Sequence, residues 1–153
     1  MAPVVIELRS RGADVTVCST GQHAEMMEPI FEFFGISIDV RLEAMAHAGS
    51  LSQLFGYVVG ALDKYLDASS PDLALVHGDT TSAAASAVAC FHRMIPVGHV
   101  EAGLRTYDFA APFPGWRVEK MQATRRLSAV VDAEVVETAR SPKGVSYRLT
   151  VNL

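Results

Sequence analysis

Short apolar stretches alternate with helical patterns over the first 114 residues, and this alternation constrains the fold more than any other feature of the chain. The run Asp72–Val76 is apolar after its first residue, as expected of a strand buried on both faces of a parallel sheet. An alanine-rich stretch, Thr81–Arg93, then predicts a helix packed closely on that sheet, and Pro96–Val100 predicts the next strand. Strand–helix–strand units connect parallel strands. The sequence therefore predicts an α/β fold with a Rossmann-like parallel sheet flanked by helices.

The rest of this region continues the same alternation. Further strands are predicted over Asp14–Ser19 and Ile36–Leu42. Further helices are predicted over Ala2–Arg11, Gln22–Phe34 and Ser50–Leu66. Ser50 is suited to cap the last of these helices, because a serine hydroxyl can accept a bond from an amide in the first turn. The second helix carries an apolar stripe that is interpreted as core, formed by Met26, Met27, Ile30, Phe31 and Phe34.

Composition excludes several classes of partner. The net charge of −4 makes nucleic acid an unexpected ligand, because phosphate binding needs clustered Lys and Arg. Cys18 and Cys90 lie in apolar runs and are interpreted as buried free thiols rather than a metal site or a disulfide. No apolar run approaches the roughly 20 residues that span a bilayer. The first residues do not resemble a secretory signal. We therefore expect a cytoplasmic protein with no membrane partner.

Two strand ends carry an unusual set of polar residues. His77-Gly78-Asp79-Thr80 follows the strand at Asp72–Val76, and His99-Val100-Glu101-Ala102-Gly103-Leu104-Arg105-Thr106 includes the end of the next strand. Ligands of open parallel sheets bind outside the carboxyl ends of strands, so both segments should face one crevice. Two carboxylates there, Asp79 and Glu101, suit acid–base chemistry on a sugar ring, and Arg105 suits an anionic group.

Structural roles could also explain these residues. Asp79 or Thr80 could simply cap the following helix, and Glu101 could form an ion pair with Arg105. His77 and His99 do not have the spacing of metal ligands, and no metal site is predicted.

Five motifs resemble the non-hydrolysing UDP-N-acetylglucosamine 2-epimerases. They occur in the order and at the spacing of that family within residues 1–114. The motifs are Met1-Ala-Pro-Val-Val5, Thr20-Gly-Gln-His23 with Met26, Val76-His-Gly-Asp-Thr-Thr81, Pro96-Val-Gly-His-Val-Glu-Ala-Gly-Leu-Arg-Thr106 and Pro112-Phe-Pro114.

The resemblance implies the N-terminal half of a GT-B fold, in which two Rossmann-like domains hold a nucleotide sugar between them. It implies elimination of UDP from UDP-GlcNAc to give 2-acetamidoglucal, then re-addition of UDP to give UDP-ManNAc, with no cofactor. Asp79 and Glu101 match catalytic carboxylates of the family. His77 and Arg105 are candidate substrate-binding residues, while Gln22 and His23 match a segment of a regulatory UDP-GlcNAc site. The full-length family is expected to form homodimers.

Three departures from the family pattern limit what this chain can do. Family members begin with a strand and a Gly-Thr-Arg-Pro-Glu loop ahead of Met-Ala-Pro, so this chain is expected to lack a first, central strand. Pro-Phe-Pro is followed by Gly115 instead of two glutamates, and Glu119 replaces the family's catalytic glutamate only if a short insertion has occurred. Residues 128–153 match nothing in the family pattern, and we expect this chain to lack its UDP-binding second domain.

The charge changes where the resemblance ends. Residues 1–114 carry 6 basic and 13 acidic side chains, whereas residues 115–153 carry 7 and 4. The sequence thus predicts a partial Rossmann-like domain over 1–114 and a divergent helix, 118–130, with a basic tail that is solvated or poorly ordered. We expect a truncated or mis-assembled epimerase without activity of its own. The alternative is a non-catalytic module that binds nucleotide sugar or associates with an epimerase.

Overall fold

The structure is a computed structural model that describes residues 1–22 and 24–100, together with the backbone of two later strands. The described residues include helices α1 (Ala2–Ser10), α2 (Ala24–Phe34), α3 (Leu51–Ser69) and α4 (Thr81–His92). They also include strands β1 (Asp14–Ser19), β2 (Val40–Arg41), β3 (Leu73–His77), β4 (Val97–Val100), β5 (Ala129–Val130) and β6 (Arg148–Asn152). A short 3₁₀ helix at Ala44–His47 precedes α3.

The strands form one sheet in the order β2-β1-β6-β3-β4-β5, and every pairing between described strands is parallel. Consecutive residues of β3 alternate between the two faces of this sheet. Ala74 and Val76 pack with α3 and α4, while Leu75 packs with α1. Apolar cores on both faces are what a crossover-connected parallel sheet requires. The predicted Rossmann-like parallel sheet flanked by helices is confirmed.

The centre of the sheet is occupied by β6, the last of the described strands. Its Thr150 pairs with Thr16 of β1 and with Ala74 of β3, so β6 is bonded on both sides. The sequence predicts that the family's first, central strand is missing and that the basic tail is solvated or poorly ordered. Arg148–Asn152 of that tail fills the central place instead. The physical reason is that the ladder groups of β1 and β3 need partners when they are buried, and an extended segment of the same chain supplies them.

The predicted element boundaries hold closely where local signals are strong. Strand β1 has its predicted limits, and the hydroxyl of Ser50 caps α3 by accepting a bond from the amide of Gln53 at 3.2 Å. Within the predicted strand Ile36–Leu42, only Val40–Arg41 pairs with the sheet. The helix predicted over 118–130 is wrong at its last two residues, which form β5, and the rest of it lies outside the described residues.

The apolar stripe of α2 was interpreted as core, and this interpretation is wrong for most of its residues. Phe31 is buried and Met27 packs partly against the core. In contrast, Met26 is 74% exposed and Ile30 is 42% exposed in the structure as described. Apolar residues cover more of the helix circumference than one sheet face can bury, so only the edge nearest α1 and β1 is covered.

Arg93, which follows α4, binds two carboxylates of α3. Its Nε lies 2.6 Å from Oδ1 of Asp63, and its guanidinium also pairs with Asp67. The hydrogen bond from Arg93 is the main reason that the pKa of Asp63 lies below its ordinary value. This contact fixes the C-terminal end of α4 against α3.

We expect the stability gained from Arg93 to depend on pH. Because the pKa of Asp63 is lowered on folding, the gain is present above the unfolded-state pKa of about 3.9 and is lost as the pH falls through the folded-state pKa. Arg93→Gln should therefore lower Tm at pH 7 and have a smaller effect near pH 3. Thermal unfolding across this range measures the difference. Arg41→Gln, at the looser 3.6 Å pair with Glu28, is the control. If Arg93→Gln lowers Tm equally at pH 7 and pH 3, the contact between Arg93 and Asp63 is not the source of the stability.

None of the helices in the described part of the chain combines the length and the apolar character needed to cross a bilayer.

Candidate functional site

The carboxyl ends of β3 and β4 lie side by side, as the sequence analysis predicted. The two strands are parallel neighbours, and His77 at the end of β3 pairs with Val100 at the end of β4. The amide of Gly78 then donates a hydrogen bond to the carbonyl of Val100 at 3.0 Å. The two polar segments therefore leave the sheet at the same edge.

Gly78 makes the turn that carries Asp79 away from the sheet. Its φ of +73° lies in the left-handed region, which an L side chain adopts only with strain. A Cβ on Gly78 would meet no atom of the described residues within 4 Å, so among them the backbone conformation rather than a lack of space favours glycine. This turn sets the direction in which Asp79 leaves β3.

Thr80, and not Asp79, caps the helix that follows. The Thr80 hydroxyl accepts a hydrogen bond from the amide of Ala83 at 3.1 Å, which satisfies one of the free amides of α4. Asp79 is half-buried, and its Oδ2 is buried without a hydrogen-bond partner among the described residues. The capping explanation therefore accounts for Thr80 and leaves Asp79 without a structural role of that kind.

Gln22 joins the loop after β1 to the first turn of α4. Its Oε1 accepts hydrogen bonds from the hydroxyl of Ser82 at 2.5 Å and from the Ser82 amide at 3.3 Å. On its other side, Gln22 contributes to a cavity of about 280 Å³ beside the N-terminus of α3. The family resemblance predicts a binding role for Gln22 but not its contact with Ser82, because the two residues lie 60 positions apart.

His99 is the residue at this edge that the sequence analysis undervalued. The sequence predicts no site role for His99, yet its Nε2 lies 2.6 Å from the carbonyl of Gly78. A carbonyl oxygen only accepts, so Nε2 carries the hydrogen in this bond. The register of β3 and β4 is the signal that could have revealed this contact. It places His99 of β4 beside the turn that follows β3.

Four predicted site residues lie outside the described part of the chain: His23, Glu101, Arg105 and Glu119. Of the described candidates, His77 ends β3, Asp79 follows it in the turn, and Gln22 bonds to Ser82 in α4. The roles of all seven candidates stay predictions. Within residues 1–22 and 24–100, the histidines, cysteines and carboxylates form no cluster of three or more suited to a metal ion.

Comparison with known proteins identifies the family. A family model described as UDP-N-acetylglucosamine 2-epimerase matches residues 6–117, which include β1 to β4 and both polar segments. The chain belongs to the UDP-N-acetylglucosamine 2-epimerase family. The epimerase of Neisseria meningitidis is 40% identical over 132 residues, covering 86% of this chain, and that of Escherichia coli K12 is 41% identical over 115 residues, covering 74%.

Solved epimerase structures share the fold described above. The Neisseria meningitidis enzyme, crystallised with UDP-GlcNAc, superimposes with a TM-score of 0.72 at 39% identity and covers 80% of this chain. A second epimerase structure gives a TM-score of 0.76 at 32% identity and covers 94%. The chain spans about a third of the length of the curated epimerases that it matches, 34% and 31% for the two named above.

Proposed function

We propose that this chain forms one side of the active site of a UDP-N-acetylglucosamine 2-epimerase, with Asp79 as a catalytic carboxylate. The observation that carries the proposal is the buried Oδ2 of Asp79, which has no hydrogen-bond partner among the described residues. A buried polar atom without a partner is costly, and such atoms in native folds are commonly reserved for a ligand or a reacting group. Membership of the family supplies the reaction in which such a carboxylate is needed.

The proposed chemistry begins with removal of the C2 proton of UDP-GlcNAc as UDP leaves C1. Re-addition of UDP and return of a proton to the opposite face of C2 gives UDP-ManNAc. Asp79 and Glu101 are proposed to move the proton and to stabilise the positive charge that develops on the ring. Glu119 is the candidate third carboxylate, and Arg105 and His77 are candidates for binding the substrate. No cofactor takes part in this scheme.

Gln22 and His23 are proposed to belong to a second nucleotide-sugar site. The support is the position of Gln22, which lines the cavity beside α3 and accepts two bonds from Ser82. Ser82 lies in the first turn of α4, three residues after Asp79. A ligand in that cavity would contact Gln22, whose Oε1 is bonded to the helix that follows the turn of Asp79.

We further propose a cytoplasmic protein that acts as a homodimer when the epimerase is complete. The described cysteines, Cys18 and Cys90, are buried and free, which is typical of a reducing compartment. Burial raises the pKa of each thiol to about 12, so neither is a reactive thiolate at neutral pH. Fractionation with antibodies tests the location, and light scattering of the complete epimerase tests the dimer.

The proposal is tested with a chimera in which residues 1–117 replace the matching part of the Neisseria meningitidis epimerase. We expect the chimera to convert UDP-GlcNAc to UDP-ManNAc, measured by NMR or coupled assay. We expect the 153 residues alone to show no turnover, because they span about a third of such enzymes. A folded chimera without activity would contradict the proposal. Binding of UDP-GlcNAc by the 153 residues alone, together with a folded but inactive chimera, would instead favour a non-catalytic nucleotide-sugar-binding module.

A further inference from the structure

The peptide that joins Gly78 to Asp79 is held by a side chain from the neighbouring strand. His99 of β4 donates from Nε2 to the carbonyl of Gly78 at 2.6 Å. The preceding peptide is held by the same strand, since the Gly78 amide donates to the carbonyl of Val100 at 3.0 Å. Both polar groups of Gly78 are therefore bonded to residues of β4.

This bond acts where the backbone has the most freedom to rotate. Glycine in the left-handed region can exchange between turn conformations that differ by rotation of the following peptide plane. Rotation of the peptide between Gly78 and Asp79 would redirect the Asp79 side chain. The hydrogen bond from His99 opposes that rotation, because the carbonyl of Gly78 would lose its partner.

The other side of Asp79 is fixed by α4. Thr80 accepts from the amide of Ala83 through its hydroxyl, and its carbonyl accepts from the amide of Ala84 at 3.2 Å. Asp79 thus lies between two anchored residues. Its Oδ2 has no hydrogen bond within the described residues, so the two anchors act on the backbone from which the carboxylate projects.

We propose that His99 is a positioning residue: it fixes the peptide between Gly78 and Asp79 and thereby holds the Asp79 carboxylate at the carboxyl edge of the sheet. Only the catalytic role of the Asp79 carboxylate rests on the proposed function. The positioning itself is a property of the free chain. It can therefore be measured without substrate.

The test uses NMR of the full chain with two substitutions. His99→Leu removes the donor at similar size, while His99→Gln keeps an amide that can donate to Gly78. In His99→Leu we expect the Gly78 carbonyl and Asp79 Cγ resonances to move, because the Gly78 carbonyl loses its donor. In His99→Gln both resonances should remain near their wild-type positions.

The control carboxylate is Asp14, exposed at the opposite, amino end of β1. Its Cγ resonance should not change in either variant. Unchanged Gly78 and Asp79 resonances in His99→Leu would overturn the proposal. So would global unfolding of that variant, since the bond would then hold the sheet and not the carboxylate. Failure of the chimera to turn over would count against the proposed function alone, because these spectra do not depend on catalysis.

Discussion

Thr150→Pro is expected to lower the free energy of unfolding by about 3 kcal/mol or more, enough to lower Tm by roughly 6–12 °C in a chain of this size. Thr150 lies at the midpoint of β6 and pairs with Thr16 on one side and Ala74 on the other. Proline donates no backbone hydrogen bond and is found in sheets almost only at edges or bulges. A central strand cannot shift to accommodate it without loss of ladder bonds to both neighbours. Thermal or urea unfolding followed by circular dichroism measures the loss.

Two control substitutions separate strand insertion from a general effect on the chain. Thr150→Val keeps a β-branched residue and a backbone donor, so it should change Tm by only a degree or two. Ala129→Pro places the same residue type in β5, which pairs only with β4 at the edge of the described sheet, and should be tolerated better. Equal and small effects of the two prolines would show that β6 does not hold the sheet together.

Asp79→Asn is expected to reduce kcat of the active chimera by about 10³, within the range that a positioned acid or base contributes. The substitution preserves size while removing the negative charge and the ability to accept a proton. Because Thr80 provides the helix cap, folding should be affected little. Steady-state conversion of UDP-GlcNAc, with Tm measured in parallel, checks both statements.

Thr80→Ala is the matched control for this prediction. It removes the cap and should lower stability by about 1 kcal/mol while leaving most of kcat. If Asp79→Asn unfolds the chimera and Thr80→Ala does not, Asp79 has a structural role and the catalytic assignment is wrong. If Asp79→Asn retains full turnover, the proton is moved by another group.

Local signals in the sequence were sufficient for much of the fold. The cap at Ser50, the alternation in β1 and the apolar run of β3 each depend on neighbours a few residues away. A strand–helix–strand unit predicts that β3 and β4 are parallel neighbours. Their carboxyl ends then lie at the same edge of the sheet, so the segments around Asp79 and Val100 were predicted to meet. These are the parts of the site that sequence reasoning could reach.

Features that depend on distant pairings were missed. The place of β6 between β1 and β3 requires partners more than 70 residues away, and no periodicity encodes such a choice. The contacts of His99 with Gly78 and of Gln22 with Ser82 likewise arise only when two strands or a loop and a helix are in register. The exposure of Met26 was missed for a related reason, since an apolar stripe does not reveal how much of it the neighbouring elements cover.

The position of β6 also has a consequence for biosynthesis. Ribosomes make the chain from the N-terminus, so β1 and β3 emerge long before the strand that must lie between them. Until then the nascent sheet has two unpaired inner edges, the kind of surface that chaperones bind and that promotes aggregation. Closure of the sheet must also bring together residues more than 130 positions apart, such as Asp14 and Arg148, which makes folding slow. The yield of native protein should therefore depend on how long those edges are protected during synthesis.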